Sequence, residues 1–200
     1  MKFITLEGVD GAGKSSHLEF IADAVRTQAP HVVVTREPGG TDLAERLRQV
    51  ILAEPLTPIL ETLLIFAART DHVARVIRPA LESGQWVICD RFIDATIAYQ
   101  AAGKGVPRDL IARLSEAAHS GLMPHRTLVF DCPYEVAATR LAKAGRKLDR
   151  FEREDRAFYE RVRSAYLELA RTEPRRIRVI DASRSAGEVR EQITGALAGL

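Results

Sequence analysis

Gly8-Val9-Asp10-Gly11-Ala12-Gly13-Lys14-Ser15 is the stretch that decides how this chain is read. It fits the pattern G-x-x-x-x-G-K-[ST], and its setting fits as well. Lys2 to Glu7 is a short apolar run with β-branched residues, which reads as a buried strand. From Lys14 to about Gln28 the apolar residues recur at helical spacing, with Leu18, Ile21, Ala22 and Val25 on one face. A glycine-rich turn between strand and helix lets backbone N–H groups converge on phosphate oxygens, and the helix N-terminus adds partial positive charge. Gly8, Val9, Asp10, Gly11, Ala12, Gly13, Lys14, Ser15 and Ser16 are therefore expected to hold the phosphates of a nucleoside triphosphate. Lys14 would reach the β- and γ-phosphates and Ser15 would ligate Mg²⁺.

Outward from this loop, apolar runs at Val32–Thr35, Trp86–Cys89, Thr127–Phe130 and Ile177–Ile180 predict four more strands. Helical spacing covers Asp42–Leu52, a long stretch from about Pro58 to Glu82, Asp94–Ala101, Arg108–His119, Glu135–Ala144, Arg156–Arg171 and Glu188–Leu200. In the second helix Leu43, Leu47, Val50 and Ile51 are expected to face inward. Short apolar strands alternating with helices imply a parallel sheet covered on both faces. The fold class is thus α/β, a three-layer P-loop NTPase-type fold with a five-stranded parallel sheet. Nothing divides residues 1–200 into two domains, and a short lid is expected at about 143–154. Ligands of such sheets bind beyond the carboxyl ends of the strands, where Gly8, Arg36, Asp90 and Asp131 fall.

Composition narrows the partners. Hydrophobic residues make up 46% and charged residues 28%, as in ordinary globular domains. The formal charge of +2 is too small to point to nucleic acid and fits phosphorylated small molecules. No apolar run is long enough to cross a membrane. Met1-Lys2-Phe3-Ile4-Thr5 lacks the apolar stretch of a signal peptide, and Cys89 and Cys132 form no CxxC pair, so the cytoplasm is expected. The five histidines are scattered without metal-ligand spacing.

A P-loop does not name a reaction, and the remaining loops must do so. They are Thr35-Arg36-Glu37-Pro38-Gly39-Gly40-Thr41, then Ala67-Ala68-Arg69, then Asp90-Arg91-Phe92 leading into Ala98-Tyr99-Gln100. With Glu7 before the P-loop and an arginine-bearing stretch near the C-terminus, the chain resembles the bacterial thymidylate kinase family over essentially its whole length. The resemblance implies phosphorylation of dTMP by ATP with Mg²⁺, and a homodimer packed through helices. The residues agree with that chemistry. A phosphate monoester acceptor is mostly dianionic at neutral pH, so the site needs cations rather than a strong base.

Arg91 is the candidate clamp between the two phosphates, with a salt bridge to a nearby carboxylate as its structural alternative. Asp90 either holds Mg²⁺ through water or orients Arg91. For Asp10 the resemblance implies contact with the sugar 3′-hydroxyl side or with Mg²⁺. It puts Arg48 on the acceptor phosphate, where the sequence alone equally allows a solvated helix arginine. Arg36 and Glu37 would shape the same pocket. For the base, Phe66 would stack on thymine and Arg69 would donate to O4, although many family members carry the aromatic where this chain has Ile65. Thr96 and Gln100, one helical turn apart, would serve the base edge. Tyr99 resembles the residue that excludes a ribose hydroxyl, and a core tyrosine is its alternative.

The basic stretch comprises Arg140, Lys143, Arg146, Lys147, Arg150 and Arg153, with Gly145 as a hinge point. The variable P-loop positions Val9, Asp10, Gly11 and Ala12 hold no basic residue. The chain is therefore similar to those thymidylate kinases whose lid supplies the missing arginine. Arg150 is the first candidate for a catalytic role, and Arg146 the second, on ATP.

Overall fold

A computed structural model describes residues 1–200 apart from Pro30, Arg146 and Lys147. Its strands are β1 (Phe3–Gly8), β2 (Val32–Arg36), β3 (Trp86–Asp90), β4 (Arg126–Asp131) and β5 (Ile177–Asp181). All pairs are parallel, in the order β2-β3-β1-β4-β5. The central strand β1 is buried along its whole length, as its continuous apolar run predicts.

Helices connect the strands and cover both faces. They are α1 (Lys14–Arg26), α2 (Asp42–Ala53), α3 (Pro58–His72), α4 (Arg78–Glu82), α5 (Ile93–Thr96), α6 (Arg108–His119), α7 (Tyr134–Lys143), α8 (Arg156–Thr172) and α9 (Ala186–Leu197). The long stretch predicted from Pro58 to Glu82 is α3 and α4 joined by a π-helical turn at Val73–Ile77. A second π-helical segment, Ile97–Gly103, continues α5 and carries Tyr99 and Gln100. Starts are capped where the sequence offers an oxygen. Thr41, Asp155 and Ser185 each accept a backbone N–H, and Ser185 and Glu188 form a reciprocal capping box.

Strand alternation sorts the core into two halves. Ile4, Leu6, Ile88, Leu128 and Phe130 pack with α1, α8 and α9 on one face. Phe3, Val87, Cys89 and Phe92 pack with Phe66, Val73 and Ile77 on the other. Both cysteines are buried free thiols. Among the described residues, no helix is long and apolar enough to cross a membrane.

One inward face differs from expectation. In α2 the buried residues are Ala44 and Ile51, while Leu43 and Val50 are each 42% exposed. With Ile59, Leu60 and Leu63 of α3, also exposed, they leave uncovered apolar side chains on two contacting helices. The helical period allowed either side of α2 to be the inner one, and packing on α3 chose the side bearing the small Ala44.

Candidate active site

The P-loop leaves β1 at Gly8, whose backbone has φ 126°. A Cβ there would stand 2.3 Å from the Phe130 carbonyl oxygen, so only glycine lets the loop pass so close to β4. Lys14 opens α1 and folds back, its Nζ donating to the carbonyls of Gly8 at 3.1 Å and Val9 at 3.3 Å. Burial, then the neighbouring Arg91, lowers its pKa. Ser15 and Ser16 are exposed at the helix start. They line an open cleft with Gly11, Ala12 and Gly13. Arg36, Arg48, Arg91, Arg140 and Arg184 line the same cleft, as does Asp90. The Oδ1 atom of Asp90 is buried and has no hydrogen-bond partner.

A second, smaller cavity of about 80 Å³ adjoins this cleft. Asp10, Glu37, Arg48, Arg91 and Asp149 line both. The far end is formed by Ile65, Arg69, Phe92, Ala95, Thr96, Tyr99 and Gln100. The site therefore joins an arginine-lined cleft at the P-loop to a smaller recess walled by Ile65, Phe92 and Tyr99.

At the junction Arg91 Nη2 donates to Asp10 Oδ1 at 2.6 Å and to the Tyr99 hydroxyl at 3.1 Å. Its Nη1 donates to the Tyr166 hydroxyl at 3.3 Å, and its guanidinium lies 4.7 Å from the Tyr99 ring centre. Tyr99 in turn donates to Asp10 Oδ2 at 2.9 Å. Burial opposes ionisation of Asp10, but Arg91 and Lys14 outweigh it, and its pKa is lowered. Burial likewise opposes the charge on Arg91, and Asp10 reverses the balance to raise its pKa well above the usual value. The salt bridge foreseen as the structural alternative for Arg91 is present, and it lies where the two cavities meet.

Beneath them, Glu7 accepts the Phe92 N–H and the Tyr166 hydroxyl, both at 2.7 Å. Burial, reinforced by Asp94, pushes its pKa up to about 8 despite Arg91. Glu7 therefore supports the turn that presents Arg91, from the hidden side.

The recess is built around Arg69, which is 1% exposed. Its Nε donates to Glu37 Oε2 at 2.6 Å, and its Nη2 to the Phe92 carbonyl at 3.0 Å and the Thr96 hydroxyl at 3.1 Å. Its Nη1 is buried without a partner. Glu37 also pairs with His72 Nδ1 at 3.0 Å, and His72 Nε2 lies 2.7 Å from the Thr35 hydroxyl. Burial would raise the Glu37 pKa, yet Arg69 and His72 bring it down. His72, left without a role by sequence reasoning, so ties the second loop to α3. The Arg48 Nη1 donates to the Pro38 carbonyl at 3.1 Å, and the exposed Arg36 pairs with Glu45 at 2.8 Å.

Two expectations fail. Phe66 does not line the recess. It is 3% exposed and packs in the core with Phe3 and Val73. Ile65 lines the recess instead. Glu61, Ile65 and Arg69 are spaced by four, so they share one helix face, while Phe66 is turned about 100° away. Its ring stacks under Arg69 at 5.0 Å, helping to hold that side chain.

Arg150 is not brought to the P-loop. It pairs with the buried Glu61 and donates to the Ile51 carbonyl, with its guanidinium 4.6 Å from the Phe151 ring centre. The buried Glu61 carboxylate holds it on the α3 side of the recess. Arg140 lies closer to the loop, donating to the carbonyls of Ala12 at 3.2 Å and Ala182 at 2.8 Å. Arg146 falls outside the described residues. Around Asp149 a turn forms, its Oδ1 accepting the N–H groups of Phe151 and Glu152, so that Asp149 and Phe151 border the recess.

Comparison with known proteins gives a consistent result. A family model described as thymidylate kinase matches residues 6–193. A thymidylate kinase of Bordetella petrii is 54% identical over 199 residues, covering 100% of this chain and 96% of that protein. One of Cupriavidus metallidurans is 53% identical over 199 residues, covering 100% and 98%. The crystal structure of a thymidylate kinase from Ehrlichia chaffeensis superposes with a TM-score of 0.80 at 33% identity, covering 98% of this chain and 97% of that one.

Proposed function

This chain belongs to the thymidylate kinase family, and from that premise we infer that it transfers the γ-phosphoryl group of ATP to dTMP in dTTP synthesis. The observation that carries the reading is the recess opening onto the P-loop cleft, with Asp10, Arg48 and Arg91 shared by both. One cavity offers a place for the acceptor and the other for the donor.

The residues take these roles. The backbone from Gly8 to Gly13, with Lys14, Ser15 and Ser16, cradles the ATP phosphates. An oxygen of the dTMP phosphate forms a bond to the γ-phosphorus as the bond to the β-phosphate oxygen breaks, and ADP leaves with that electron pair. The acceptor is already ionised, so no side chain removes a proton. Arg91 neutralises charge between the two nucleotides and is held in place by Asp10. Arg48, which borders both cavities, serves the acceptor phosphate, while Arg36 borders the P-loop cleft alone. Arg69 Nη1 donates to thymine O4, Thr96 and Gln100 face the base edge, and Tyr99 stands against C2′.

The residues present suit Mg²⁺. The partnerless Asp90 Oδ1 and the exposed Ser15 border one cleft, and Mg²⁺ favours one or two protein oxygens plus phosphates and water. Bound there, it would neutralise phosphate charge. Residues 1–200 act as one domain with a lid at about 143–154, in the cytoplasm, as a homodimer joined through the apolar side chains of α2 and α3. Labelled ATP offered with each deoxynucleoside monophosphate tests the assignment. Label should pass to dTMP alone, and a chain that makes no dTDP is not this enzyme.

A further inference from the structure

Glu61 is fully buried on α3, yet it touches none of the groups assigned to phosphate transfer. Three donors converge on it. Gln100 Nε2 and Lys104 Nζ each lie 2.8 Å away, and Arg150 forms an ion pair with the same carboxylate. A carboxylate ion-paired with Lys104 and Arg150 only accepts hydrogen bonds. It therefore dictates which end of the Gln100 amide faces it. An amide can turn end for end at little cost when its neighbours both donate and accept. Here only the NH₂ end can meet Glu61, and the carbonyl end is left for the recess that Gln100 lines.

That orientation has a chemical consequence. Thymine carries a hydrogen on N3, which an amide oxygen accepts. Cytosine has a bare N3, which would meet that oxygen lone pair to lone pair. We propose that Glu61 is a positioning residue for base choice: it locks the Gln100 carbonyl toward the base and so favours thymine over cytosine. This rests on the reading of the recess as the thymine site. Glu61 acts through Gln100 and does not touch the substrate. The spacing supports the geometry, since Glu61, Ile65 and Arg69 share one face of α3 and the latter two line the same recess.

The test measures kcat/KM for dTMP and for dCMP with saturating ATP, in the wild-type chain, in Glu61→Gln, and in the exchanged pair Glu61→Gln with Gln100→Glu. The ratio of the two values does not depend on the fraction of folded enzyme. Glutamine at 61 can accept as well as donate, so Gln100 is freed to turn. The dTMP-over-dCMP ratio should fall by about tenfold or more, chiefly through the KM for dTMP, with the KM for ATP unchanged. The exchanged pair keeps the net charge and again fixes an acceptor at position 100, so the ratio should return to within about threefold of wild type. A merely structural role for Glu61 predicts no such recovery. An unchanged ratio in Glu61→Gln, or no recovery in the exchanged pair, overturns the proposal. If Glu61→Gln does not fold, the exchanged pair alone decides, and a tenfold loss there overturns it. A wild-type chain without preference for dTMP would instead defeat the thymine site itself.

Discussion

The Arg91 guanidinium closes on the Asp10 carboxylate at 2.6 Å where the two cavities meet. Arg91 reaches this place from a backbone with φ 71°, a conformation that costs a non-glycine residue about 1–3 kcal/mol. The surroundings over-determine it. Asp10, Tyr99 and Tyr166 each take a hydrogen bond from the guanidinium, and Glu7 anchors the following backbone N–H. The cation is thus oriented before any nucleotide arrives, which is the condition for strong electrostatic stabilisation of a developing charge.

Replacement of Arg91 by alanine should lower kcat by about 10²–10³-fold while the KM for ATP changes little. Steady-state kinetics with dTMP and ATP give both constants. Arg91→Lys should restore little, because a single ammonium cannot bridge the same partners. A kcat near wild type in either variant would remove Arg91 from the reaction.

Ile65 and Phe66 separate recess from core. Phe66→Ala should cost about 3–5 kcal/mol of stability, as for a buried aromatic, with the KM for dTMP little altered in the folded fraction. Ile65→Ala should do the reverse, raising the KM for dTMP more than the KM for ATP. Denaturant titration and kinetics on both variants distinguish the two, and a raised KM for dTMP in Phe66→Ala alone would return the wall to Phe66.

Glu7 sets a pH dependence of stability. Its pKa of about 8 in the folded chain stands above the ordinary 4.5, chiefly through burial. Between those values the folded chain keeps a proton that the unfolded chain has released. Stability from this group is therefore present at low pH and is lost as pH rises toward 8. Glu7→Gln cannot lose that proton, so its melting temperature should fall less than that of wild type between pH 5 and 8. Parallel melting curves across that range would contradict the assignment.

The exposed leucines of α3 bear on assembly. Leu60 and Leu63 are 45% and 44% exposed beside Ile59, Leu43 and Val50. Contiguous exposed apolar side chains mark association surfaces. Leu60→Glu combined with Leu63→Glu should convert a dimer to a monomer in sedimentation analysis. A dimer that survives both changes uses another face.

The residues around the phosphate mouth were legible because chain-local rules place them. Gly8, Arg36 and Asp90 end adjacent parallel strands, and parallel order puts all strand ends on one side. Glu7, Glu61 and His72 were not legible as working parts, because a buried charge takes its meaning from partners distant in the chain. Glu61 meets Gln100, 39 positions later, and Tyr166 meets Glu7 across 159.

By itself the sequence determined the three-layer α/β fold and the triphosphate loop, since strand runs, helical periods and Gly8 to Ser15 are local patterns. Only the tertiary structure decided that Ile65 rather than Phe66 meets the recess, and that Leu43 and Val50 of α2 face outward. It also decided that Arg150 pairs with Glu61 rather than with the P-loop. Helical periodicity says which residues share a face, but not which way that face points. A charge pattern gives the number of cations but not the carboxylates that capture them, and both depend on what packs opposite.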